Sequence, residues 1–333
     1  MHKQTPTFVI SLDFELYWGM IDKVSLEKYG DALRGVRAAI PAMLGLFALY
    51  EIHATWSAVG MLMTSSKNEL LDMLPDPTLR PSYKNQKLST YAHIEHSMIG
   101  ENEATDPYHF GASLVKKILA TPHQEPASHT FSHYYCLEEQ TGGKNSHAIF
   151  AADCTAMQKI AERFGFVPRS LVFPRNQTDE RVLRIVREHG ILAYRGNEQH
   201  VLYKPRRDAE QLLFIRALRL LDNYINVSGH HTTAINRGDT AMPINIPSSR
   251  FLRPWSKTLS VLEPLRLKRI KNSMTHAAKN GECFHLWWHP HNFGTNLDQN
   301  MAVLKALLDH YASLKKEYKM ESKTMLEASE LAQ

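Results

Sequence analysis

Residues Thr7 to Glu15 read TFVISLDFE. The first six, Thr7 to Leu12, form a β-branched, aromatic and aliphatic run that stops at charge, the pattern of a buried parallel strand delivering side chains to a site. In extended chain, residues i and i+2 point to the same side, so Asp13 and Glu15 face one pocket. Outward from this run, Ala32 to Tyr50 carries apolar residues at helical spacing, and His53 to Gly60 (HATWSAVG) reads as a second strand closing on glycine, giving a β-α-β unit. Further strands are expected at Pro126 to Ser128, Ser170 to Phe173, Ile191 to Tyr194 and Cys283 to Trp288. Helical patterns separate them at Gly111 to Ala120, Ser146 to Phe164, Asp179 to His189, Leu259 to Asn280 and Asp298 to Tyr318. Strands alternating with helices predict an α/β fold with a mainly parallel sheet or barrel, with its chemistry at the carboxyl ends of the strands.

The 333 residues suit one elaborated α/β barrel, and 43% apolar content suffices for a large core. A single catalytic domain spanning 1–333 is expected, with insertions near 74–110 and 223–254. The first is polar and holds Pro75, Pro77, Pro81 and Pro107; the second contains His230, His231 and many turn residues. Loops of this length usually have a task, and both are expected to form lids or substrate-binding walls.

Lys and Arg number 39 against 34 Asp and Glu, so 39 − 34 = +5. No run of like charge points to nucleic acid. The opening MHKQTPTFVISLDFELYWGM has too short an apolar run, broken by Asp13 and Glu15, for a secretion signal. No uninterrupted apolar stretch reaches the ~18–20 residues of a membrane span. Three cysteines, Cys136, Cys154 and Cys283, lack the spacing of a disulfide framework or zinc knuckle. A cytoplasmic protein with reduced thiols is expected.

Four segments could carry chemistry. In Ser128-His129-Thr130-Phe131-Ser132-His133, a helical turn would set His129 and His133 on one face as half of a divalent metal site. Asp13 and Glu15 offer the third ligand, one binding metal while the other acts as base. Phe284 to Asn292 (FHLWWHPHN) places His289 at a strand end, with Trp287 and Trp288 on alternate faces, one for the core and one for stacking on a sugar ring. Phe173-Pro174-Arg175-Asn176 puts a cation at another strand end, able to orient a carboxylate or hold an anionic group. Taken singly, each has a plainer reading: a capping histidine pair, surface ion pairs, two core tryptophans, a solvated arginine.

Together these segments resemble the polysaccharide deacetylase family, the carbohydrate esterases of family 4 type with the NodB homology fold, from about Thr7 to His291. Most similar are cytosolic members associated with surface-polysaccharide (O-antigen or capsule) synthesis, whose first motif reads S-x-D-x-E and whose second lies in a QExxSHTFSH context, here Gln124 to His133. The resemblance implies a distorted, incomplete (β/α) barrel and a divalent metal, most often Zn2+, held by an acidic residue with His129 and His133. It implies Glu15 as ligand and Asp13 as general base, the swap remaining open, and His289 as general acid to the leaving amine. Two motifs depart from the common pattern: Phe14 follows Asp13 where adjacent aspartates are usual, and Val172-Phe173-Pro174-Arg175 keeps one proline and displaces the arginine that orients the base. Arg175 is the expected orienting residue, and Trp18, Asn176, Trp288 and His291 are the expected substrate contacts. The implied activity removes an acetyl or formyl group from an amino sugar, on a nucleotide- or lipid-linked precursor. The alternatives are an amidase acting on a non-sugar C–N bond and a catalytically silent carbohydrate-binding member.

Overall fold

The computed structural model describes residues 4–140, 146–198, 200–203, 213–236, 238–239 and 241–332. Among them, nine strands form one sheet: β1 (Thr7–Phe14), β2 (Ala54–Ala58), β3 (Gln124–Ser128), β4 (Ser170–Leu171), β5 (Ala193–Tyr194), β6 (Ile244–Asn245), β7 (Arg250–Phe251), β8 (Cys283–Trp288) and β9 (Glu321–Lys323). The order is β6-β5-β4-β3-β2-β1-β8-β7, with β9 added on β1, and every pairing is parallel. The sheet curls, with helices around it, into an incomplete (β/α) barrel.

Period-2 alternation in β1 sorts its residues between two environments. Phe8, Ile10, Leu12 and Phe14 join the main apolar core with Val36, Ile40, Met43 and Phe47 of α1 (Leu26–Leu49). Burying each such side chain contributes about 1.5–3 kcal/mol. Val9, on the other face, meets Val172, Ala193, Ile246 and Cys283 in a small apolar layer inside the barrel. Ser11 and Asp13 follow Val9 on that inner face, so the interior turns polar towards the carboxyl ends of the strands. At the opposite end, the helix Met325–Ser329 closes the barrel, with Met325 N–H donating to Thr55 Oγ1 (2.8 Å) and Leu326 N–H to Glu125 Oε2 (3.3 Å).

Alone among the described helices, α1 has the length and apolar composition to cross a membrane. Its apolar stripe packs against the sheet, and it approaches the turn after β8 at backbone distance. A Cβ on Gly35 would stand 1.9 Å from the Gly294 carbonyl oxygen, and one on Gly294 would stand 1.8 Å from that of Ala32. Only glycine permits this contact, which presses the His289-bearing turn onto α1.

The segment expected as a second loop insertion, 223–254, contributes two strands. One run of chain carries both β6 and β7, and it bonds first to the β5 side and then to β8. Ile246 N–H donates to Tyr194 O (2.9 Å) and Ser248 N–H to Gly196 O (2.9 Å), after which Ser249 N–H donates to His285 O (2.8 Å) and Leu252 N–H to Trp287 O (2.8 Å). The two ends of the sheet therefore meet at a seam on 246–249. Strands of two residues are too short for alternation to be read in sequence. The 74–110 segment folds as 3-10 turns and a short helix, Thr90–His96. It docks by donation from Thr90 Oγ1 to Ser132 O (3.0 Å), from Trp18 Nε1 to His109 O (2.8 Å) and from Tyr135 N–H to Tyr83 Oη (2.9 Å).

Candidate metal centre

Beyond β3 the chain forms a loop, not the helical turn expected for His129 and His133. Thr130 and His133 have φ of 62° and 55°, left-handed values that non-glycine residues adopt only when surrounding bonds hold them. Those bonds are present. Ser128 Oγ accepts Thr130 N–H (3.0 Å) and Thr130 Oγ1 accepts Tyr134 N–H (2.7 Å). The buried carboxylate of Asp153 accepts Phe131 N–H (2.8 Å), Ser132 N–H (3.0 Å) and the Ser132 hydroxyl (2.5 Å). Burial outweighs these three donors and pushes Asp153 up to about 6. The folded loop sets the two imidazoles 5.1 Å apart, centre to centre, facing β1.

Glu15 completes the group. Its Oε2 lies 3.1 Å from His133 Nε2 and 3.5 Å from His129 Nε2, and the three donor atoms fall within 4.8 Å of one another. Among the described residues no other trio of His, Cys, Asp and Glu meets that condition. His129 Nδ1 sits 2.8 Å from the Val172 carbonyl, which can only accept, so Nδ1 carries the proton and a neutral ring leaves Nε2 bare. His133 Nδ1 lies 3.0 Å from Tyr135 Oη. Burial lowers the His133 pKa, outweighing the Glu15 carboxylate, which would raise it. Burial would raise Glu15, but His289, His129 and His133 outweigh it and hold this carboxyl well below its usual range. With a neutral ring, the lone pair on His129 Nε2 and the Glu15 oxygen point at one place that a cation would fill. Two nitrogens and an oxygen with their far sides engaged suit a borderline divalent ion. Gly19 makes room for the carboxylate: a Cβ there would stand 2.2 Å from Glu15 Cδ.

Asp13 is held apart from the trio. Arg195 donates Nη1 to Asp13 Oδ1 (2.6 Å) and Nη2 to Oδ2 (2.7 Å), a bidentate pair in the barrel interior. Burial alone would raise the Asp13 pKa; the guanidinium more than offsets it, and the carboxyl is lowered. Asn176 Oδ1 accepts Arg195 Nη2 (2.9 Å), and the guanidinium lies 4.0 Å from the centre of the Trp287 ring. His289 Nε2 is 3.5 Å from Glu15 Oε1 and 3.8 Å from Asp13 Oδ2. Its side chain is 23% exposed against 4% or less for Asp13, Glu15, His129 and His133, which marks His289 as the open side of the site. His291 is buried and stacks on His289 (4.9 Å, 17°); burial, then His289, pushes it down to about 3, so it is neutral.

Three expected residues are placed elsewhere. Arg175 does not reach Asp13; it pairs with Asp22 and lies 4.5 Å over the Tyr135 ring, because the chain reverses at Arg175 and Asn176, where φ is 54° and 51°. Trp288 is fully buried and packs against Phe47 and Phe293, since it falls on the outer, helix-facing parity of β8. Trp287, on the inner parity, is the tryptophan beside His289 (5.7 Å) and Arg195. Trp18 is likewise fully buried, tied to His109. Sequence reasoning missed Arg195 and Asp153. The first lies just past the Ile191–Tyr194 strand, where a strand-end cation could have been noted. The second is the buried one of the two carboxylates in the helix Ser146–Arg163.

No family profile matches the chain, and no curated protein sequence does. Solved structures do. A candidate polysaccharide deacetylase from Mycobacterium smegmatis is similar at 13% identity, over 99% of this chain and 91% of that one, with a TM-score of 0.56. Another, from Pseudomonas aeruginosa PAO1, is similar at 13% identity over 98% and 89% (TM-score 0.50). PuuE allantoinase is similar at 13% identity over 98% and 88% (TM-score 0.52). The fold is the NodB-like barrel of the polysaccharide deacetylases. Chains of this shape carry different names, so the chemistry must be argued from the site.

Proposed function

We propose that this protein is a metal-dependent hydrolase that removes an N-acyl group, acetyl or formyl, from an amino sugar on a nucleotide- or lipid-linked precursor of surface polysaccharide. The observation that carries the reading is the convergence of His129 Nε2, His133 Nε2 and Glu15 on one point beside an independently held Asp13 and the half-open His289. A divalent cation, Zn2+ by the donor set, would acidify a water and polarise the acyl carbonyl. Glu15 serves as its carboxylate ligand, because both oxygens of Asp13 are engaged by Arg195. Asp13, kept ionised by that guanidinium, accepts the proton of the attacking water. The carbonyl carbon gains the water oxygen, the C–N bond breaks, and His289 on the open side protonates the departing amine. Trp287, beside His289, and Asn176, beside Arg195, would contact the sugar. The three buried, unpaired thiols support a reducing, cytoplasmic setting.

The test is metal analysis with acyl-release assays on acylated nucleotide and lipid-linked amino sugars. His133→Ala should lose the metal. Asp13→Asn should keep it and lose turnover. Equal metal loss in both would reverse the roles of Asp13 and Glu15, and a wild-type protein without stoichiometric metal would end the reading.

A further inference from the structure

The barrel interior holds a polar column that no step above uses. Ser11 and His285 are fully buried directly beneath Asp13 and Arg195, above the apolar layer of Val9, Val172 and Cys283. A serine and a histidine placed there are costly unless every polar atom is bonded, and packing alone would be served by valine and leucine.

Their bonds run in one direction. His285 Nδ1 lies 3.1 Å from the Ile246 carbonyl oxygen, which has no proton to give, so Nδ1 is the donor. His285 Nε2 lies 2.8 Å from Ser11 Oγ. Burial, then the nearby Arg195, pushes His285 down to about 3, so the ring is neutral and Nε2 is bare. The Ser11 hydroxyl must therefore give its proton to His285, which turns its lone pairs towards Arg195 Nη1, 3.0 Å away. The same Nη1 reaches Asp13 Oδ1 at 2.6 Å. Ile246 belongs to the seam where the sheet ends meet, and Ser249 pins the His285 backbone to that seam by two further bonds, Ser249 N–H to His285 O (2.8 Å) and His285 N–H to Ser249 Oγ (2.9 Å).

We propose that Ser11 and His285 are positioning residues: anchored on the Ile246 carbonyl at the barrel seam, they fix the plane of the Arg195 guanidinium and through it the Asp13 carboxylate. Without His285 the Ser11 hydroxyl is free to turn its proton on Arg195, and the guanidinium loses the lone pair that sets its tilt. This rests on Asp13 acting as the base.

The experiment has two arms. Nitrogen-15 NMR of the wild-type histidines should show His285 with a protonated Nδ1 and a bare, hydrogen-bonded Nε2, and Ser11→Ala should shift the Nε2 signal towards that of a nitrogen with no bond. A protonated Nε2 in the wild type would overturn the proposal whatever the enzyme does. In the kinetic arm, Ser11→Ala and His285→Leu should lower kcat about ten- to a hundredfold, with KM and metal content close to wild type. His285→Gln, which retains an acceptor near Nε2, should recover part of the loss. Unchanged kcat in both Ser11→Ala and His285→Leu would also overturn it. If the wild-type protein releases no acyl group, the functional reading fails on its own. The NMR arm and the position of Arg195 in a crystal structure of Ser11→Ala then decide the inference: an unmoved guanidinium refutes it.

Discussion

Replacing Asp153 by Asn should leave stability near neutral pH almost unchanged, because two effects of similar size oppose each other, while loosening the proposed metal centre. Asp153 Oδ1 takes one amide proton and Oδ2 takes the Ser132 amide and hydroxyl. Asparagine keeps one oxygen. Its NH2 group can satisfy a rotated Ser132 hydroxyl but must face the Ser132 N–H, leaving a buried donor unpaired at about 1–3 kcal/mol. Against this, a carboxyl held at about 6 instead of its usual ~3.9 carries a penalty of about 3 kcal/mol when ionised, which the amide removes. The pH dependence follows from the raised value. The folded protein binds the Asp153 proton more tightly than the unfolded chain, so the stability this group supplies is full below about 4 and is lost as pH rises through about 6. Relative to wild type, Asp153→Asn should therefore lose about 2 kcal/mol between pH 7 and pH 4. Urea denaturation of both chelated proteins across that range reads the difference directly, and calorimetric titration with Zn2+ should show a ten- to hundredfold weaker site, since the bonds holding the loop that carries His129 and His133 are disturbed. A stability difference that does not vary with pH, or an unchanged zinc affinity, would refute the reasoning.

Gly19→Ala should fold normally, because the atoms in the way of its Cβ belong to the flexible end of Glu15, but the carboxylate must swing aside and bound metal should fall well below stoichiometric by elemental analysis. Trp288→Ala should cost about 3–5 kcal/mol of stability in denaturation, as a fully buried core aromatic, whereas Trp287→Ala should cost less and act chiefly on turnover. Arg195→Leu leaves Asp13 buried without its counter-charge, a loss of about 3–5 kcal/mol at pH 7. In the wild type the depressed Asp13 carboxyl supplies stability above its unfolded value of ~3.9 that disappears as pH falls through the folded value. That acid-side loss should be absent from the urea titrations of Arg195→Leu.

The features that could be read in sequence are those that follow from alternation. In β1 the inner parity is Val9, Ser11 and Asp13; in β8 it is Cys283, His285 and Trp287, and His289 continues it. Two apolar runs ending in charge or histidine thus predict that Asp13 and His289 reach one end of one barrel, and their side chains do approach, at 3.8 Å. The same rule, applied strictly to β8, would have chosen Trp287 over Trp288, since His285 and His289 fix which face is inward.

What could not be read depends on chain reversals and on partners distant in sequence. The His129–His133 spacing suggests a helix because four residues make about one turn. The structure reaches the same juxtaposition through left-handed residues, which become affordable only when Asp153, some twenty residues on, accepts the loop's amides. Likewise the choice of Arg195 over Arg175 depends on which strand end points inward. Arg175 lies in a reversal that turns it towards Asp22 and the rim, while Arg195 directly continues the inner parity of Ala193. A guanidinium entering the barrel there finds Asp13 on one side and the Ser11 hydroxyl on the other. Asp13 thus takes its guanidinium from the end of β5 and not from the Val172–Arg175 segment. Inner parity at the end of β5 is what brings that cation into the plane of the Asp13 carboxylate, the base in the proposed reaction.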